Sequence, residues 1–152
     1  MSWIDDEYKQ REEAADGQRQ ARERDEELRR QRAGIANQAW ETIVSALQSV
    51  INEFNVHPRS ANRRAELHRV QNEMIEIKRV GEVANMLTIK RNDGHPTFQF
   101  EMRPRPNDPP RIGVIIPETE ATFTTQGADI GGAGLVEADE LARRLLKRGL
   151  FA

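Results

Sequence analysis

The chain has 152 residues, of which 32% are charged and 37% are hydrophobic, and it contains no cysteine. The length predicts one domain with an appendage, and the lack of cysteine excludes disulfides, thiol catalysis and cysteine-based zinc sites. The formal net charge of −2 favours neither nucleic acid nor a membrane as the partner of the chain as a whole.

The first residues hold neither a basic segment nor an apolar run, so we expect no secretory signal. No apolar stretch approaches the roughly 20 residues of a membrane span. Together with the lack of cysteine, these features predict a cytoplasmic protein that does not contact a membrane. The charge is uneven along the chain, because residues 57–111 carry 11 basic and 7 acidic side chains.

Residues 1–34, which we call the arm, are predicted to form a charged helix. Of the 28 residues from 5 to 32, 18 are charged. Ser2 followed by Asp5 approximates a capping box, and acid-to-base pairs one turn apart, such as Glu7 with Arg11, support the helix weakly. A helix that is polar all round bridges solvent or lies on a partner. We therefore expect the arm to project from the rest of the chain and to reach a partner.

Three large apolar side chains lie near the start of the arm: Trp3, Ile4 and Tyr8. Ile4 and Tyr8 are one helical turn apart and share a face. Exposed aromatic residues on a charged helix suggest a binding surface for a protein partner. The alternative is that an isolated tryptophan near the start of a chain has no function.

A second helix-forming pattern covers residues 35–55. Its apolar residues follow Ala36 at alternating steps of four and three, which is the spacing of a coiled-coil seam; they are Trp40, Ile43, Leu47, Val50 and Phe54. Two interpretations remain open, a core helix lying on a sheet or the seam of a homo-oligomer. Three heptads are short for an independent coiled coil, which favours the core helix.

Strands are predicted within about residues 65–125. Residues 60–80 fit either one helix or two short strands that turn at Gln71–Asn72, and we favour strands because neighbouring segments in sequence usually pair. A hairpin is expected around Asn92-Asp93-Gly94. Two further strands follow. In the first of them, Ile112, Val114 and Ile116 are expected to lie on one face of the strand. In the second, Ala121 and Phe123 are expected to face inward.

Residues 136–150 are predicted to form a helix with acidic residues at its start, basic residues at its end and a leucine-rich stripe. The element order predicts an α+β body over residues 35–152. We expect an antiparallel meander of about four to six strands with the last helix packed on the sheet.

No catalytic or metal-binding motif is apparent among the three histidines and the acidic residues, and no cofactor is implied. We therefore expect a non-enzymatic protein–protein interaction or assembly module that uses the arm and forms a homo-oligomer. The alternative is a nucleic-acid-associated regulator that uses the basic segment 59–111. Its candidate contacts are Arg63, Arg64, Arg69, Lys90 and Arg91.

Overall fold

The computed structural model describes residues 2–92, 94–132 and 134–152. Contacts divide the chain into two units, Met1–Gly34 and Ile35–Ala152. The helices are α1 (Trp3–Val56) and α2 (Ala138–Leu150). The strands are β1 (Ala65–Val70), β2 (Met74–Arg79), β3 (Asn85–Arg91), β4 (Phe98–Met102), β5 (Arg111–Pro117), β6 (Thr122–Gly127) and β7 (Val136–Glu137).

The predicted α+β fold with a long amino-terminal helix is confirmed, and the sheet has seven strands rather than four to six. Each strand pairs antiparallel with the next, so the order in the sheet is the order in the chain. Residues 65–79 form two strands joined by a turn in which Gln71 has a φ of 56°. The predicted hairpin is β3–β4, and Asp93 in its connection lies outside the described residues.

The seventh strand occupies the start of the segment that was expected to be helical. Val136 pairs with Phe123, and Glu137 has the extended backbone of an N-cap residue, so α2 begins at Ala138. Asp139 and Glu140 follow in the first turn, where the positive end of the helix dipole favours them. Val136, a β-branched residue, therefore adds a short strand to the edge of the sheet just before α2 begins.

One face of the sheet carries the core. Cross-strand partners such as Ile77, Leu87 and Met102 lie on this face in register and are buried against apolar residues of both helices. Above them lie Trp40, Ile43 and Leu47 from α1 and a set of leucines from α2; those leucines are Leu141, Leu145, Leu146 and Leu150. We call this face the covered face.

One expected side-chain orientation, that of Ala121, was wrong, and the buried face of β5 had not been predicted. In β5 the buried positions are Gly113 and Ile115, whereas Ile112 is 53% exposed and lies on the opposite face. Ile112, Val114 and Ile116 share one face, as predicted, and this face lies opposite the core. Ala121 is exposed just before β6, and Phe123 alone provides the buried contact expected of that pair.

Candidate binding surfaces

The arm begins with the predicted cap. The backbone N–H of Asp5 donates to Oγ of Ser2 at 3.3 Å, and that hydroxyl donates to the Asp5 carboxylate at 3.1 Å. Glu7 and Arg11 pair at 3.1 Å. Every residue from Ser2 to Gly34 is exposed, so the side-chain contacts that add to the backbone hydrogen bonds of this helix are local ones such as these. Such exposed pairs contribute little individually.

The predicted partner-binding residues are exposed at the start of this helix. The exposed fractions are 77% for Trp3, 47% for Ile4 and 66% for Tyr8. Ile4 and Tyr8 lie one turn apart, as the helical spacing requires. The arm therefore presents apolar area that no residue of its own unit covers.

The five residues considered for a seam or a core face the chain's own sheet. Trp40, Ile43 and Leu47 are at most 2% exposed, and Val50 and Phe54 pack against the same core while partly exposed. The Trp40 ring meets Phe98 edge-on with centroids 5.1 Å apart. Its Nε1–H has no hydrogen-bond partner in the part of the chain that the structure describes.

The five candidate nucleic-acid contacts do not form one surface. Arg69 and Arg91 reach from the covered face to α1. Arg69 holds both carboxylate oxygens of Glu41, at 2.7 and 3.2 Å, and Arg91 donates to Asn37 at 2.6 Å with its guanidinium carbon 5.9 Å from the Trp40 ring centroid. The hydrogen bonds from Arg69 hold the pKa of the Glu41 carboxyl below its usual range.

The other three candidates lie elsewhere in the body. Lys90 stands opposite Met74 and Gln99 in the register and therefore lies on the face opposite the core. Arg64 is exposed just before β1. Arg63 lines a cleft that sequence reasoning did not identify.

This cleft, which we call the basic cleft, has a volume of about 1660 Å³. Its walls come from the end of α1 and the segment that follows it, the connection between β4 and β5, residues 130–131, and α2. Four of its basic residues precede α2 in the chain: Arg59, Arg63, Arg105 and Arg111. Four more belong to α2: Arg143, Arg144, Lys147 and Arg148.

Three acidic residues share the lining, namely Glu53, Asp108 and Glu140. Glu140 accepts from Arg144 at 3.1 Å and lies 4.0 Å from Arg143. The segments that line the cleft are distant in the sequence. Arg63 and Ala152, for example, are 89 residues apart, and the Arg63 guanidinium donates a 3.5 Å hydrogen bond to the Ala152 oxygen. The α2 cations were visible in the sequence only as residues that complement a helix dipole.

Neither metal chemistry nor a membrane span is indicated by the described residues. No cluster of three or more His, Asp or Glu side chains within them is arranged to hold a metal ion, and no helix among them is long and apolar enough to cross a membrane. No known family model matches the chain, no curated protein matches it, and no solved structure matches it.

Proposed function

We infer that this chain is a non-enzymatic protein–protein interaction or assembly module whose arm binds the partner. The main support for this proposal is that Trp3, Ile4 and Tyr8 are exposed on the surface of an α-helix. Burying apolar area stabilises a complex by roughly 25 cal/mol per Å², and aromatic side chains dominate the energetics of many interfaces. The arm therefore offers binding energy that its own unit does not use.

The spacing of these residues indicates the mode of binding. Apolar anchors at i and i+4, here Ile4 and Tyr8, are those of an amphipathic helix that lies in a groove of its partner. The acidic Asp5 and Asp6 in the first turn favour a groove with a basic rim. A second copy of the chain is the simplest such partner, which makes a homo-oligomer in the cytoplasm part of the proposal.

The experiment compares partner capture by the intact chain and by two variants. Trp3→Ala combined with Tyr8→Ala removes the aromatic surface, whereas Leu28→Ala removes an exposed apolar side chain further along the same arm. We expect the double variant to lose a captured protein that the Leu28→Ala variant retains. Identical capture by both variants would contradict the role of the three residues.

Sedimentation equilibrium tests the homo-oligomer separately. The chain has a mass of 17.4 kDa, and we expect at least twice this mass at micromolar concentration. The Trp3→Ala/Tyr8→Ala variant is expected to sediment as a monomer if the arm makes the contact. A monomeric intact chain would exclude the second copy as the partner and leave a different protein to be found by capture.

A further inference from the structure

The basic cleft concentrates positive charge that its own carboxylates do not balance. It holds eight basic side chains and three acidic ones, and Glu140 is already engaged by Arg143 and Arg144. Among the described residues, Arg59, Arg105, Arg111 and Lys147 form no ion pair. Like charges lining one cleft repel each other, and a bound polyanion removes that repulsion.

The cleft also exposes an aromatic ring. Phe151 is 69% exposed and meets Phe54 edge-on, with centroids 5.6 Å apart and ring planes at 88°. Phe54 supports the ring from within the body while much of Phe151 remains accessible. An accessible ring beside a charged groove is the arrangement on which unpaired bases stack.

The identity of the cations points in the same direction. Seven of the eight basic residues are arginines, whose planar guanidinium groups match phosphate oxygens in pairs and stack on bases. An acidic protein segment would neutralise the basic side chains of the cleft equally well, but its carboxylates would make no use of the exposed Phe151 ring. A duplex satisfies the charges too, but its bases already stack on one another.

We propose that the basic cleft binds single-stranded nucleic acid, with its cations on the phosphates and a base stacked on Phe151. This site goes beyond the arm-mediated interaction and does not depend on it. The shared chemistry of DNA and RNA is a sugar-phosphate chain with unpaired bases. The test therefore uses both, as labelled oligothymidylate and oligouridylate of about 16 nucleotides, the upper end of common site sizes.

Fluorescence anisotropy with the full-length chain measures the affinity. Contacts from four cations give a slope of about −3 in a plot of log affinity against log salt, so raising the salt about fourfold weakens binding about 50-fold. We expect one or both oligonucleotides to show this slope, and their relative affinities identify the preferred sugar. The absence of binding to both at low salt would overturn the proposal.

Matched variants locate the site. Lys147→Glu and Arg105→Glu place charge reversals on two different segments that line the cleft, and Lys90→Glu makes the same reversal on the face opposite the core. We expect each cleft variant to weaken binding at least about tenfold and Lys90→Glu to weaken it about threefold or less. Equal effects of all three would show general electrostatic attraction and overturn the cleft assignment.

The stacking contact and the competing ligands are tested separately. Phe151→Ala is expected to weaken binding at least about fivefold, whereas Phe151→Trp and the control Leu28→Ala, which also shortens an exposed apolar side chain, retain it. Thermal melting of each variant checks that the body is folded. Tighter binding of a duplex of equal length, or of polyglutamate, would replace the single strand with that ligand and overturn the proposal.

Discussion

The ring of Phe100 on β4 lies where a side chain of Gly113 on β5 would otherwise stand. A Cβ placed on Gly113 would lie 2.6 Å from Cε1 of Phe100 and 2.8 Å from the backbone oxygen of Gln126. The two residues are direct partners in the register on the covered face. Phe100 is fully buried because this position in β5 has no side chain.

Gly113→Ala is therefore expected to destabilise the body strongly. Adding a methyl group to a packed core costs about 1–3 kcal/mol, and we expect the upper end because the clash involves backbone as well as a ring. Urea unfolding measures the free energy of unfolding. Gly34→Ala is the matched control, because a Cβ there meets nothing within 4 Å, and a loss equal to that of Gly113→Ala would contradict the packing argument.

Two variants of Trp40 test the cost of its buried Nε1–H, which has no hydrogen-bond partner among the described residues. Trp40→Ala is expected to cost about 3–5 kcal/mol because it leaves a cavity in the core. Trp40→Phe keeps an aromatic ring against Phe98 and removes a buried donor whose desolvation costs about 1–3 kcal/mol. We expect Trp40→Phe to cost under about 1.5 kcal/mol in urea unfolding; equal losses for the two variants would contradict this account.

The Glu41–Arg69 pair predicts a pH-dependent contribution to stability. The pKa of Glu41 is lowered in the folded chain, chiefly by hydrogen bonds from Arg69. The stabilisation is therefore present above the carboxyl pKa of the unfolded chain and is lost as the pH falls through the lower folded value. The pair is largely exposed, so we expect Glu41→Gln to lower the free energy of unfolding by about 0.5–1 kcal/mol at neutral pH.

Two measurements check this assignment. The difference between Glu41→Gln and the unaltered chain is expected to vanish in acid, where the carboxyl is protonated in both states, and to shrink in high salt. Glu82→Gln is the control, because Glu82 is exposed and forms no ion pair among the described residues. A difference that persists unchanged in acid would assign the effect to packing.

Removal of the arm is expected to leave the body folded. Deleting residues 2–34 removes none of the side chains of the hydrophobic core cluster, which begins at Ala39. We expect the melting temperature to change by less than about 4 °C, which corresponds to under about 1 kcal/mol for a domain of this size. A large loss of stability, measured by circular dichroism, would contradict the assignment of the arm to partner binding alone.

The local parts of the fold were predictable because local rules determine them. Ser2 caps the first helix, and Phe98, Phe100 and Met102 alternate as a half-buried strand requires. The orientation of β5 was not predictable from its own residues. It depends on Phe100, a residue of the neighbouring strand that fills the space above Gly113.

The basic cleft was not predictable for a related reason. Arg63 and Arg105 belong to the segment singled out for its charge, but Lys147 comes from α2, and Arg69 and Arg91 of the same segment are engaged by α1. Charge counts along a chain do not show which cations share a surface. The exposed Phe151 ring beside them is likewise a consequence of where α2 ends.

The sequence by itself determined the charged helix, the apolar stripe from Trp40 to Phe54, the antiparallel meander and the closing helix. Periodicity, caps and turn residues act over a few positions and are therefore visible in sequence. Only the tertiary structure decided that the stripe lies on the chain's own sheet, which β5 residues are buried, and which cations meet in the cleft. These features depend on contacts between residues distant in the chain, and no local pattern encodes such contacts.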